Sequence, residues 1–324
     1  MKEGREPAVE GLVAGIDVGG TRIKAGLVFW DGTVVARGQW PTEARRGPEW
    51  VMRRLGREVR ALAVQAGVEW RDVVGVGAAW PAFLDLESGW MEEAVNLHWK
   101  NVPIRDLMER ELGKPVVLDN DGNAAALGET WIGAGKGAAS VLCVTVGTGI
   151  GGGIVWEGRV YRGALAMAGE IGHLPMKPDG EPCTCGSRGC LETLSSATAL
   201  VRESRRRGLI GPSGSLTVED IFALVRQGDE RASEVVREAT FWLGRGLAAA
   251  ADLLSPDVIV VGGGVAKAGD LWFVPLDEAF RSWVLPRVAR HCRLSPAFLG
   301  EDAGILGAAK LAWQSFTEAR EATS

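Results

Sequence analysis

The chain has 324 residues, 46% of them apolar and 24% charged, enough for two globular domains with substantial cores. A formal net charge of −5 gives no electrostatic support for nucleic-acid binding, and no apolar run reaches the length of a membrane span. The charged start, Met1–Pro7, lacks the apolar stretch of a signal peptide, so the expected location is cytoplasmic. In that compartment an odd set of five cysteines favours metal ligands or reduced thiols over disulfides.

Residues Leu12–Asp17 form an apolar strand run that ends in Val18-Gly19-Gly20-Thr21. Alternation predicts a return strand over Arg22–Phe29, and Thr33–Trp40 completes a meander. A helix is expected over Pro48–Ala66, a strand over Val73–Ala79 and a helix near 103–112. The strand Pro115–Asp119 then delivers Asn120 and Asp121 to its C-terminal end, ahead of a helix over Gly122–Trp131. The pattern restarts with strand Val141–Val146, the turn Gly147-Thr148-Gly149 and strand Ile150–Val155. This repeated strand–glycine turn–strand layout, about 130 residues apart, reads as a weak internal duplication and suggests two related α/β lobes. Helices follow over Ala197–Arg207, Thr217–Arg226 and Ala232–Leu254. The apolar strand Val258–Val261 ends in Gly262-Gly263-Gly264, and a last helix starts near Glu301 and runs through Trp313.

The densest chemistry lies between Glu170 and Glu192. His173, Cys183, Cys185 and Cys190 make a four-ligand set suited to a closed tetrahedral zinc site, with Gly186 and Gly189 allowing tight turns. A site with no open position is structural, and its task is to hold a loop. Glu170 and Glu192 bracket the run without being needed as ligands. The plainer reading is a set of small buried residues, or a disulfide with a spare thiol.

Glycine turns after buried strands expose backbone N–H groups that cradle phosphate oxygens. Three of them, at 19–20, 147–149 and 262–264, point to a nucleotide rather than to three unrelated turns. Gly147–Gly152 matches a dinucleotide fingerprint, but Gly153–Trp156 continues as strand where that motif needs a helix. No P-loop motif is present either. Asp17 beside the first turn is a candidate organiser of Mg²⁺ through water, with a turn cap as the alternative. Among Asp119, Asn120 and Asp121 one residue is expected to cap the following helix. A second carboxylate there fits a base for a hydroxyl nucleophile, and Asn120 can donate to and accept from sugar hydroxyls.

Together these residues resemble the ROK family of sugar kinases and regulators, within the actin-like ATPase/hexokinase superfamily. The signature is Glu170-x-Gly-His173 followed by Cys183-x-Cys185-Gly-x-x-Gly-Cys190-x-Glu192. The Asp17–Thr21 start, Asn120-Asp121, Gly147–Gly149 and Gly262–Val265 match in order, so the likeness covers Leu12 to Trp313. The wording of the centre looks most like bacterial glucokinases of the family. The resemblance implies an α/β, two-lobed fold with duplicated mixed-sheet lobes and a cleft between them. Residues 1–131, rejoined by the C-terminal helix 302–324, would form the sugar and phosphate side. Residues 132–301 would carry the zinc loop and the nucleotide side.

Carried over by position, Asp121 is the implied catalytic base for the sugar 6-hydroxyl, while Asn120, Glu170, His173 and Glu192 hold other hydroxyls. His173 also ligates zinc with Cys183, Cys185 and Cys190. Phosphates of ATP would lie between Gly19-Gly20-Thr21, with Lys24, and Gly147-Thr148-Gly149, with Gly263 and Gly264 near the adenosine. The implied cofactors are ATP, Mg²⁺ and structural Zn²⁺, and the implied assembly is a homodimer or homotetramer. Ala78–Ala82 departs from the family pattern, and Trp80 either trims the sugar pocket or packs beneath it. Two alternatives carry weight: an N-acylhexosamine kinase, and a sugar-sensing regulator. The regulator is disfavoured because the first core strand, at Leu12, leaves no room for a helix-turn-helix.

Overall fold

The computed structural model describes residues 11–211 and 214–321. These divide into two compact units. Of the described residues, one holds those up to Gly133, Gly163–Ala166 and those from Glu301 onward; the other holds Ala134–Arg162 and those between Met167 and Gly300.

The first unit runs β1 (Leu12–Val18), β2 (Arg22–Val28), β3 (Val34–Pro41), α1 (Pro48–Gln65) and β4 (Val73–Trp80). It continues with β5 (Phe83–Asp85), β6 (Trp90–Ala94), β7 (Trp99–Val102), α2 (Ile104–Leu112), β8 (Val116–Asn120) and α3 (Asp121–Ile132). Its main sheet has the order β3-β2-β1-β4-β8, an antiparallel meander extended by parallel pairing of β1 with β4 and β4 with β8. The strands β1 and β4 are buried almost throughout, as expected of sheet interior covered on both faces. The second unit contains β9 (Ser140–Val146), β10 (Ile150–Trp156), β11 (Arg159–Val160), α4 (Glu192–Ser195), α5 (Ala197–Arg206), α6 (Val218–Arg226) and α7 (Glu230–Leu254). It ends with β12 (Val258–Gly262), α8 (Asp270–Trp283), α9 (Pro286–His291) and β13 (Arg293–Pro296). Its sheet, β11-β10-β9-β12-β13, repeats the scheme: a meander followed by two parallel strands. The duplication read from the two glycine hairpins is therefore present in the topology of both sheets.

The last helix, α10 (Ala303–Glu321), belongs to the first unit and extends past the expected Trp313. It lies directly on the sheet because glycines remove the side chains in the way. A Cβ at Gly77 would overlap the Ala308 carbonyl, and one at Gly307 would overlap the Ala124 carbonyl of α3. Sequence reasoning missed the small sheet β5-β6-β7, α8 with its internal Pro275, α9 and the short strands β11 and β13. No helix among the described residues is long and apolar enough to cross a membrane.

Candidate active site and metal centre

Parallel strands bring the candidate residues of the first unit to one edge. Asp17 of β1 stands opposite Ala79 of β4, and Ala79 opposite Asp119 of β8, all at C-terminal strand ends, where ligands bind in α/β sheets. At the β8–α3 junction Asn120 is the helix cap: its Oδ1 accepts from Gly122 N at 2.8 Å. Its amide nitrogen makes no hydrogen bond among the described residues. Asp121 opens α3 with an exposed carboxylate whose Oδ1 lies 2.9 Å from the same N–H. Beneath them the buried Asp119 accepts from Asn120 N and from Asn123 Nδ2, each at 2.8 Å. This anchor was missed by sequence reasoning, although the run of short polar residues was its signal.

Asp17 pairs with Lys24 across β1 and β2, and burial raises its carboxyl above the ordinary value while Lys24 pulls the other way. Lys24 is shared with Glu301, 3.4 Å away. A buried carboxylate with a divided counter-charge fits a hydrated cation. The first glycine turn is narrower as a phosphate cradle than the sequence implied. Gly19 N donates to Arg22 O at 2.8 Å and closes the turn, and Thr42 pins it through Gly19 O (2.7 Å) and Thr21 O (2.9 Å). The turn's remaining N–H groups are those of Gly20 and Thr21. Thr42, in a different strand-end loop, had no signal of its own.

The second unit gathers the rest. Gly147 N closes its own turn on Gly149 O (2.9 Å), and Ala197 N donates to Gly147 O (2.8 Å). Among the described residues the N–H groups of Thr148 and Gly149 find no acceptor in this turn. Gly263, with φ +91°, lies so close to this turn that a Cβ would overlap the Val146 backbone. The loop after His173 folds back on itself through Met176 N and Lys177 N to Gly189 O and Cys183 N to Ser187 O. Gly186 (φ +90°) and Gly189 (φ +61°) occupy left-handed positions that the tight turns require.

His173, Cys183, Cys185 and Cys190 have their ligand atoms within 4.8 Å of one another. His173 Nδ1 is 3.5 Å from Cys183 Sγ, and Cys185 Sγ is 3.7 Å from Cys190 Sγ. Donors bound to one zinc at ordinary lengths stand roughly 3.5–3.8 Å apart at tetrahedron edges, so the set fits. The chemistry agrees: burial pushes the Cys183 thiol up to about 12 and raises Cys190, a cost that a cation reverses. With Nδ1 at the cysteines, Nε2 of His173 remains for another partner.

Glu192 opens α4 and joins the two parts. Its Oε1 lies 3.2 Å from Cys183 Sγ and 4.0 Å from His173 Nδ1, while Oε2 accepts from Ile150 N at 3.3 Å. Glu170 is half-buried, and its carboxyl is raised by burial, lowered by His173 and raised again by Glu192. A family model described as the ROK family matches residues 13–315. The chain belongs to the ROK family. Among curated ROK relatives, a glucokinase of Halalkalibacterium halodurans is 39% identical over 90% of this chain and 92% of its own. A ROK hexokinase of Thermus thermophilus superposes with a TM-score of 0.85 at 36% identity, covering 95% of this chain and 99% of its own. A ROK glucokinase of Streptomyces griseus, solved with glucose and AMPPNP, gives 0.78 at 37% identity over 94% and 100%. The two sheets of this ROK chain, with their shared strand order, thus have the actin-like ATPase fold. Trp80 is fully buried and packs on Trp99 with ring centroids 6.2 Å apart. It packs in the core beneath the strand ends rather than lining a pocket.

Proposed function

We infer that this chain is an ATP-dependent hexokinase that phosphorylates the 6-hydroxyl of glucose, giving glucose 6-phosphate and ADP. The observation that carries this reading is the double engagement of Glu192, one oxygen at the metal-donor loop and the other at the glycine turn expected to hold phosphates. The relatives named above as glucokinases support the substrate. In this reading Asp121 takes the proton as the 6-oxygen attacks the γ-phosphorus, and Asn120 donates to a neighbouring hydroxyl. In the second unit Glu170, His173 through Nε2, and Glu192 hold sugar hydroxyls. Gly20, Thr21, Thr148 and Gly149 supply N–H groups to the phosphates, with Gly263 and Gly264 toward the adenosine. Phosphoryl transfer asks the protein mainly for positioning and charge stabilisation, which these groups provide.

His173, Cys183, Cys185 and Cys190 would hold zinc as a closed structural clamp, and Asp17 would organise Mg²⁺, which would neutralise phosphate charge. Homodimeric or homotetrameric assembly and a cytoplasmic location complete the proposal. An ADP-release assay over a panel of hexoses tests the substrate, with glucose expected to have the highest kcat/KM. A higher value for N-acetylmannosamine or N-acetylglucosamine would replace glucose with an N-acylhexosamine.

A further inference from the structure

The turn between β6 and β7 meets the first glycine turn within the same unit. A Cβ on Gly20 would meet Asn96 first, 3.4 Å from its Cβ and 3.5 Å from its carbonyl oxygen, which is ordinary contact distance. The backbone of Gly20 lies outside the left-handed region. Neither conformation nor packing therefore demands glycine here; a side chain would take up the space between the turn and Asn96. Glycine in such a place serves the close approach of a ligand to the backbone. On one side of that space stand the N–H groups of Gly20 and Thr21, which find no acceptor among the described residues. On the other stands Asn96, exposed, with a side-chain amide that makes no hydrogen bond among the described residues.

Both sides are held by one short segment. Thr42 pins the glycine turn through Gly19 O and Thr21 O, and nearby Ala44 O accepts from Trp99 Nε1 at 3.0 Å. Leu97 and Trp99 are buried, and His98 between them takes a φ of +58° that turns the chain into β7. Asn96 is thus the exposed member of a turn fixed by the core. Donors fixed before the ligand arrives are what charge stabilisation in phosphoryl transfer requires. Two backbone N–H groups that can only donate, faced by an amide that can present its NH₂, suit an oxyanion better than a hydroxyl.

We propose that Asn96 is a catalytic residue whose Nδ2 donates to an oxygen of the phosphoryl group in transfer, beside the N–H groups of Gly20 and Thr21. The proposal rests on the kinase reading above. The sugar 6-oxygen bonds to the γ-phosphorus as the bond from that phosphorus to the ADP oxygen breaks. ADP leaves with the electron pair of that bond, and the hydroxyl proton passes to Asp121. Negative charge is then spread over the equatorial phosphoryl oxygens, and Asn96 stabilises it without bringing a charge of its own.

The test uses the full-length, metal-loaded protein with glucose and Mg·ATP, and reads kcat, the KM for each substrate and Tm. Asn96→Ala is expected to lower kcat about a hundredfold, the scale of one donor removed from a developing oxyanion. Asn96→Asp is nearly isosteric but puts a repelling carboxylate where the donor was, so its kcat should fall further. In both variants Tm should stay near that of the unaltered protein, and the KM for glucose should change less than about twofold. Gly20→Ala, for which there is room, should also keep its Tm while losing turnover. Turnover that Asn96→Asp leaves intact overturns the proposal, as do equal losses in Asn96→Asp and Asn96→Ala, or a raised KM for glucose at unchanged kcat. An unaltered protein with no turnover overturns the kinase reading, and this proposal with it.

Discussion

The Cys183 sulfur lies 3.2 Å from Glu192 Oε1, so a proposed metal ligand and a proposed sugar ligand are direct neighbours. With zinc bound as proposed, displacing it from this loop should therefore move Glu192 and His173 before it disturbs the glycine turns. Chelated but folded protein is expected to lose glucose affinity by about tenfold or more, on the scale of lost support around a metal site. Nucleotide affinity should change far less. Calorimetric titration of both ligands into metal-free protein, with circular dichroism to confirm folding, reads the difference. Unchanged glucose affinity would contradict the role given to the loop.

Asp17 supplies a test with a pH sign. Burial raises its folded-state carboxyl above the ordinary 3.8. A raised carboxyl contributes stability below the unfolded value, and that contribution is lost as pH rises through the folded value. At neutral pH the ionised group is therefore a cost, and Asp17→Asn should raise the Tm there. The gain should shrink as pH falls toward the ordinary carboxylate range. The same variant should raise the KM for Mg·ATP. A lower Tm at neutral pH would sink this description of Asp17.

Gly304 carries the approach of α10 to the same carboxylate. A Cβ there would fall 2.6 Å from Asp17 Cγ and 2.7 Å from Oδ2. Gly304→Ala should cost about 1–3 kcal/mol by overpacking and shift the Mg²⁺ dependence of turnover. Denaturant unfolding and a Mg²⁺ titration of the rate measure the two effects. A variant with native stability and Mg²⁺ dependence would show that the contact is slack.

Trp80 is in the core, so its effect should be on stability and not on the choice of sugar. Trp80→Ala is expected to lose about 3–5 kcal/mol, and Trp80→Phe less, with the order of preference among hexoses kept in Trp80→Phe. A changed order in Trp80→Phe would place the ring at the sugar after all.

Much of this was legible because the sequence marks chemistry and punctuation strongly. Cysteines, glycine turns and the Asn120-Asp121 pair each announce themselves locally, and apolar runs such as Val258–Val261 announce buried strands. Less legible was whatever depends on distant partners. Thr42 pins the Gly19–Thr21 turn from the end of β3, and nothing in its own neighbourhood says so. Short strands such as β5 and β13 lack enough residues for a period to emerge, and Pro275 hid α8. The division of labour inside the polar run was also a tertiary matter: Asn120 caps, Asp119 anchors, and Asp121 alone presents an exposed carboxylate.

That last distinction gives the most direct test of the central claim, that Asp121 is the base of a sugar kinase. Asp121→Asn keeps the shape of the β8–α3 junction while removing the proton acceptor. Steady-state turnover with glucose and ATP should fall by about 10²–10⁴-fold, with the Kd for glucose close to that of the unaltered protein. Turnover that survives the substitution, or an unaltered protein with no turnover to lose, would contradict the account.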